Sequence, residues 1–329
     1  MFDKAARIRS GLIPARDLPD EAATLDPRIS VDLNHLRGLE RRATSLSFLP
    51  RQPARSALNG RHASRMRGRG LNFEELRDYL PSDDVRSIDW KVTARTGKPH
   101  VRVFTEERDR PSLIVVDQRM SMFFGSVLNM KSVTAAECAA VTAFRILDQG
   151  DRVGGIVFGD ETLAEIRPQR SRAALNRFLS AISSANGLLR ADAPDQTPMS
   201  LNRVLQSVSR IAPRNHLIVV FSDFDVIDDL TQKLISSLSR HNDLVLGLVS
   251  DPMADEIPKA MRLVISNGEL QAEIDTGDEA VRHNLHAMSQ GRLAQVLDWK
   301  RTLGVPVLPL SSAEDSLAQM RRLMGLASR

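Results

Sequence analysis

Five short apolar runs, separated by segments long enough to be helices, set the tightest limit on what this chain folds into. They are LIVVD (113–117), VGGIVFGD (153–160), HLIVVFSD (216–223), DLVLGLVSD (243–251) and VPVLPLSS (305–312). The runs are apolar through their length rather than alternating with polar residues, so both faces of each strand must be covered. Helices are expected between and after them, at about 129–148, 171–184, 200–211, 229–241, 279–303 and 313–326. Strands alternating with helices are the pattern of an α/β fold with a doubly wound, mainly parallel sheet. VISNGELQAEID (264–275) interrupts the rhythm, and its Asn-Gly pair reads as a hairpin.

The amino-terminal third has a different texture. VDLNHLRGLERRATSLSFL spaces Leu33, Leu36, Leu39 and Leu46 for a helix, while Pro14, Pro19, Pro27, Pro50 and Pro53 divide the rest into short pieces. HVRVF after the turn at TGKP alternates as a strand does. Residues 1–110 are therefore expected to form a helical and extended region packed on a sheet domain at 111–329.

A chain of 329 residues with 42% hydrophobic and 26% charged residues can bury a sizeable core. No window approaches the roughly 18 to 20 apolar residues of a membrane span. The start of the chain carries acids early, which does not suit an export signal. The single cysteine, Cys138, has no partner for an intrachain disulfide. A cytoplasmic location is the expectation. Net charge is +4, and six arginines (51, 55, 61, 65, 67 and 69) fall in a stretch of 51–70 that holds no acid. That stretch suits an acidic partner, a lipid surface or nucleic acid, but no aromatic residue lies in it to stack on bases, so nucleic acid is not the expected partner.

In doubly wound sheets ligands sit beyond the carboxyl ends of the strands. Asp117, Ser222, Asp223, Asp225 and Asp251 fall there, with Ser121 just after Asp117. Carboxylates and hydroxyls are hard oxygen ligands suited to magnesium or manganese. The plainer reading is that such residues cap helices and bond loop amides. Arg119 stands between Asp117 and Ser121, and a guanidinium there neutralises the carboxylates and repels a cation. The expected arrangement is Arg119 bridging Asp117 and Asp223 in place of a metal, with weak magnesium or manganese binding as the alternative. No Gly-x-Ser-x-Gly elbow occurs, Cys138 lies in an Ala-rich helical stretch, and His283 and His286 lack further ligands, so an enzyme is not expected.

Two stretches carry a resemblance. The strand, Asp117, loop and Ser121-Met122 are similar to the first loop of the von Willebrand factor A domain, whose metal-ion-dependent adhesion motif reads Asp-x-Ser-x-Ser. RGRGLNFEELRDYLPSDDVRSIDWKVTAR (67–95) resembles the signature of an uncharacterised bacterial family, von Willebrand A-like and associated with MoxR-type AAA+ ATPases. Gly68, Gly70, Phe73, Arg77, Tyr79, Pro81, Asp83, Asp84, Arg86, Asp89, Trp90, Ala94 and Arg95 match that signature in order, with Ser82 where the family usually has glycine. The likeness covers roughly 60–250, and so many ordered matches are far more specific than any single short motif.

The departures are at the adhesion motif. Arg119 replaces its first serine; Met199 stands where the second loop usually places a threonine, with Thr197 and Ser200 beside it; Asp223 matches the third loop, followed by Asp225. The resemblance implies a non-enzymatic adaptor that partners a MoxR-type AAA+ ATPase in remodelling or maturing a client protein. Its recognition rim is expected at Arg119, Thr197, Ser200 and Asp225, with Arg119 accepting a partner carboxylate directly. The competing expectations are a metal-dependent hydrolase or nuclease using Asp117, Asp223 and Asp225, and a nucleic-acid-binding module using the 51–70 arginines. In the signature segment, the interleaved charges Arg77, Asp83, Asp84, Arg86, Asp89, Lys91 and Arg95 read as an ion-paired framework. Tyr79 and Trp90 are expected to bury their rings against the sheet domain.

Overall fold

The computed structural model describes residues 26–44, 71–80, 85–106, 111–190, 197–254, 262–266, 271–275 and 279–323. In chain order the elements are α1 (Leu33–Thr44), β1 (Leu71–Asp78), α2 (Trp90–Thr96), β2 (His100–Glu106), β3 (Pro111–Asp117), α3 (Lys131–Asp148), β4 (Arg152–Phe158) and β5 (Leu163–Gln169). They continue with α4 (Arg172–Asn186), α5 (Leu201–Ile211), β6 (Leu217–Ser222), α6 (Asp229–His241), β7 (Asp243–Ser250), β8 (Arg262–Ser266), β9 (Gln271–Asp275), α7 (Glu279–Thr302), β10 (Val307–Ser311) and α8 (Ser316–Leu323).

The five apolar runs pair into one sheet, which a sixth strand, β5, extends at one edge, in the order β10-β7-β6-β3-β4-β5. Every neighbouring pair is parallel except β4 and β5. Side chains alternate between two cores. Ile114, Val116, Leu217, Val219 and Phe221 face one core with α1, α3, α4 and α8, whereas Leu113, Val115, Ile218 and Val220 face the other with α5, α6 and α7. The α/β class and the doubly wound sheet are thus what the sequence pattern requires.

Chain order reverses at β3. From there the sheet grows to β4 on one side and to β6 on the other, so the carboxyl ends of β3 and β6 flank a topological switch point. Gly155 keeps α4 close to β4, since a Cβ there would lie 2.1 Å from Phe178 Cε2.

Three elements lie outside the sequence expectations. β5 (LAEIRPQ) escaped because it mixes charge with Pro168, as edge strands do. β1 and α2 escaped because the 60–110 stretch is dense in charge. β1 and β2 form a separate antiparallel pair, and β8 and β9 form the hairpin anticipated at 264–275. The helix expected to run on to Leu46 is described as far as Thr44. The 51–70 arginines, with Gly68, Gly70, Pro81, Ser82, Asp83 and Asp84, lie outside the described residues.

α1 does not sit apart from the sheet. Val31, Leu36, Leu39 and Ala43 belong to the core that contains α3 and β3. Its polar attachments are specific. Val31 N and Ser30 Oγ donate to Asn186 Oδ1 at 2.8 and 3.0 Å, Asn186 Nδ2 donates to Gln118 Oε1 at 2.9 Å, and Gln118 Nε2 donates to Ser132 O at 3.0 Å. A buried relay therefore runs from the α1 segment to the residue between Asp117 and Arg119. On the outer side His35 Nε2 meets Glu137 Oε1 at 2.6 Å.

The hydrogen bond to Glu137 raises the His35 pKa against the opposing effect of burial. A raised histidine pKa stabilises the fold fully below its ordinary value and loses that contribution as pH climbs through the raised one. His35→Gln is expected to lower the melting temperature at about pH 5, and to do so much less at about pH 9. Paired thermal melts of the two proteins across that range check this.

Candidate functional site

The switch point is filled by charge. β3 ends in Asp117, which is fully buried, and two residues on Arg119 turns back over it with 3% of its surface exposed. Arg119 Nη2 lies 2.7 Å from Asp117 Oδ2, its Nε 3.0 Å from Oδ1, and its backbone N also donates to Oδ1 at 3.0 Å. The third face of the guanidinium donates through Nη1 to Met199 O at 3.3 Å, and Phe158 packs beneath it with the ring centroid 5.4 Å from Cζ.

The neighbouring strand completes the cluster. Ser222 Oγ at the end of β6 donates to Asp117 Oδ2 at 2.6 Å and accepts from Phe224 N at 2.9 Å. Asp223, 3% exposed, lies 3.9 Å from Arg119 Nη2 but only 2.8 Å from Lys131 Nζ, at the start of α3. Asp225 pairs with Arg292 of α7 at 2.6 Å. Each of the three carboxylates thus has a cation of its own.

The ionisation of the cluster follows from these contacts. Burial acts most strongly on Asp223 and disfavours its charge, yet the charges of Lys131 and Arg119, the Lys131 hydrogen bond and Arg292 outweigh it and bring the pKa down to about 2. Burial likewise opposes the charge on Arg119, and Asp117, Asp223 and Asp225 more than compensate, so its pKa rises. Asp160, which accepts from Met120 N at 2.9 Å, goes the other way: burial raises it.

The expected site residues divide into three groups. Asp117, Arg119 and Asp223 are brought together, with Arg119 held tightly by Asp117 and loosely by Asp223. Ser121 lies in the short 3-10 turn Met120–Met122, with its hydroxyl buried and no hydrogen-bond partner among the described residues. Thr197 and Ser200 are exposed, and Ser200 is occupied as the cap of α5, accepting from Arg203 N at 3.3 Å. Met199 serves through its backbone carbonyl, which any residue there would supply. Arg119 is not a rim residue, a correction to the sequence expectation: its donors are turned inward onto Asp117 and Met199, so an incoming carboxylate finds none of them presented.

Sequence reasoning missed Lys131 and Arg292 altogether. Lys131 lies 92 positions before Asp223, and Arg292 lies 67 after Asp225, with no motif joining either pair. It also missed how Asp251 is used. That carboxylate, 2% exposed, accepts from Ser126 Oγ and Ser312 Oγ, each at 2.5 Å, and from Ser126 N and Met253 N. It fastens the loop before α3 to the ends of β7 and β10.

These residues do not fit a divalent ion. The oxygens that would ligate one already bind a guanidinium and an ammonium, and two fixed positive charges face the same point. Asp117 and Asp223 are buried in these pairs, and the Asp225 side chain is 38% exposed beside Arg292.

Fold and site together define a doubly wound α/β domain whose switch point is closed by its own ion pairs. The chain belongs to the DUF58 family, described as proteins of unknown function, which it matches over residues 75–294. It is 27% identical over 286 residues to uncharacterised proteins of Mycobacterium tuberculosis and Mycobacterium bovis, covering 87% of this chain and 88% of each of theirs. Among solved structures, the conserved hypothetical protein BatB of Bacteroides thetaiotaomicron is similar at a TM-score of 0.40 and 13% identity, over 66% of this chain and 98% of that one.

Removing Arg119 leaves Asp117 buried without its charge partner, at a cost of about 3–5 kcal/mol. Arg119→Ser is expected to be destabilised by that amount in urea melts and still to give no manganese heat on calorimetric titration, because Lys131 continues to hold Asp223. Arg119→Ser combined with Lys131→Ser is expected to bind manganese. Micromolar binding by the chelator-treated wild type would show that the guanidinium gives way to a metal.

Proposed function

We propose that this protein is a von Willebrand A-like, non-enzymatic adaptor of the cytoplasm that works with a MoxR-type AAA+ ATPase in remodelling or maturing a client protein. The observation that carries this reading is the contrast at the carboxyl edge of the sheet: its carboxylates are neutralised internally while its loops hold apolar side chains out to solvent. Phe124 is 41% exposed, Leu128 38%, Val127 68% and Val226 80%. Apolar side chains at the tips of ordered loops suit protein recognition.

Val226 is the sharpest of these. Its φ of 56° puts a β-branched residue in the left-handed region, and Phe224, two positions earlier, has a φ of 53°. Such a backbone persists only where its surroundings impose it. Here Asp223 Oδ1 accepts from Asp225 N at 3.0 Å, Arg292 holds the Asp225 side chain, and the buried ring of Phe224 meets Trp299 edge-on at 6.2 Å. The ion cluster thereby orders a loop that presents an aliphatic knob, which lowers the entropy lost on binding.

The partner's identity comes from the resemblance of 67–95 to the MoxR-associated family. Support for a cytoplasmic setting is the lone, buried Cys138. No helix among the described residues is long and apolar enough to cross a membrane.

With the MoxR-type ATPase of the same genome as ligand, Phe124→Asp and Val226→Asp are each expected to weaken binding about tenfold or more, and chelator is expected to have no effect. Calorimetry or pull-down of the purified proteins reads this directly. Wild-type affinity in both variants would move the interface off this edge, and failure of the wild type to bind the ATPase would overturn the adaptor reading.

A further inference from the structure

The 71–106 segment gives a second surface. The sequence leads one to expect Trp90 buried against the sheet, but the structure places it 64% exposed. Tryptophan is mostly covered in folded chains, so an indole left in solvent calls for a reason. It is not alone: Val85 is 55% exposed, Leu80 53% and Leu76 38%. The β1–β2 pair has only two strands, too few to cover such side chains with a core of its own.

The indole is also held in place. Asp89, 7% exposed, caps α2 by accepting from Lys91 N at 3.0 Å and Val92 N at 3.2 Å, and its backbone N donates to His100 O at 2.8 Å. At the other end Gly97, with a φ of 72°, closes the helix by donating to Thr93 O. A buried carboxylate therefore fixes the start of α2, and the next residue is the exposed Trp90. That is pre-organisation of an anchor.

The charges beside it select the occupant. Lys91, Arg95 and Lys98 are exposed on α2 and the turn that follows. Asp78, 75% exposed, lies 3.3 Å from His100 Nε2 and is one exposed carboxylate against these three exposed cations, and Asp89 is turned inward. We infer that this module is a docking face for a partner protein segment that carries carboxylates beside apolar side chains. Nucleic acid is a poorer match, because stacking uses aromatic faces and three of the four exposed apolar side chains are aliphatic. A lipid surface is a poorer match because these side chains sit on a strand, a 3-10 turn and a helix rather than along one amphipathic helix face. The inference stands independently of the adaptor reading, which concerns the carboxyl edge of the six-stranded sheet.

The chain's two tryptophans make the test clean, since Trp299 is 2% exposed and Trp90 is the accessible one. The full-length protein is titrated with a synthetic amphipathic peptide of leucine and glutamate, the same peptide with lysine for glutamate, a single-stranded oligonucleotide, and phosphatidylcholine–phosphatidylserine vesicles. The Leu/Glu peptide is expected to shift Trp90 emission to the blue and protect it from acrylamide, with an affinity that falls as salt rises. Measured by anisotropy of the labelled peptide, Trp90→Ala and the Lys91→Glu, Arg95→Glu double variant are expected to lose about tenfold in affinity. Their melting temperatures should not change, because these side chains are exposed. A response to the oligonucleotide or vesicles without one to the Leu/Glu peptide would reassign the face to nucleic acid or lipid. No response to any probe, or an indole already shielded from acrylamide in the free protein, would overturn it as a docking surface.

Discussion

The ion pair between Asp117 and Arg119 is the contact on which the carboxyl edge of the sheet depends. Asp117 is fully buried, so its charge is tolerable only with a cation and hydrogen-bond donors at hand. Arg119 supplies both from two residues away, and Ser222 brings in the end of β6. Asp223 then needs Lys131, and Asp225 takes Arg292, so β3, β6, α3 and α7 are joined at one point. A divalent ion could join several carboxylates too, but here the cations that join them are side chains of the chain itself.

Around this point the structure separates buried charge from exposed apolar surface. Asp117, Arg119, Asp223 and Lys131 are turned inward, where they pair with one another, and apolar side chains remain at the loop tips. Gln118 extends the ordering in the other direction, through Asn186, to Ser30 and Val31 at the entry to α1. The α1 segment and the β3 loop therefore share buried hydrogen bonds. Displacing one would leave unsatisfied groups in the other, which couples them more strongly than apolar contact alone.

The 71–106 module repeats that logic on a smaller scale. Its one buried carboxylate, Asp89 among the described side chains, serves a helix cap rather than a reaction, and the helix it starts holds an indole in solvent. In this two-stranded module, capping rather than burial defines the position of the exposed side chain. Asp89, read in sequence as part of an ion-paired framework, becomes a helix cap, and Trp90, expected to be buried, becomes the exposed group next to it.

Sequence alone determined the sheet, because strands covered on both faces must be apolar throughout and the helices between them follow from length and periodicity. It also determined that a guanidinium stands two residues after the strand-end carboxylate, since Asp117, Arg119 and Ser121 are neighbours in the chain. Tertiary structure decided the rest. Lys131 and Arg292 reach their carboxylates across tens of residues, and such pairing leaves no local pattern to read. Whether Arg119 pointed inward or outward, and whether Trp90 was covered, depended on what the fold packed against them: a side chain's identity states what it is able to bond, and only the three-dimensional neighbourhood decides which partner is close enough.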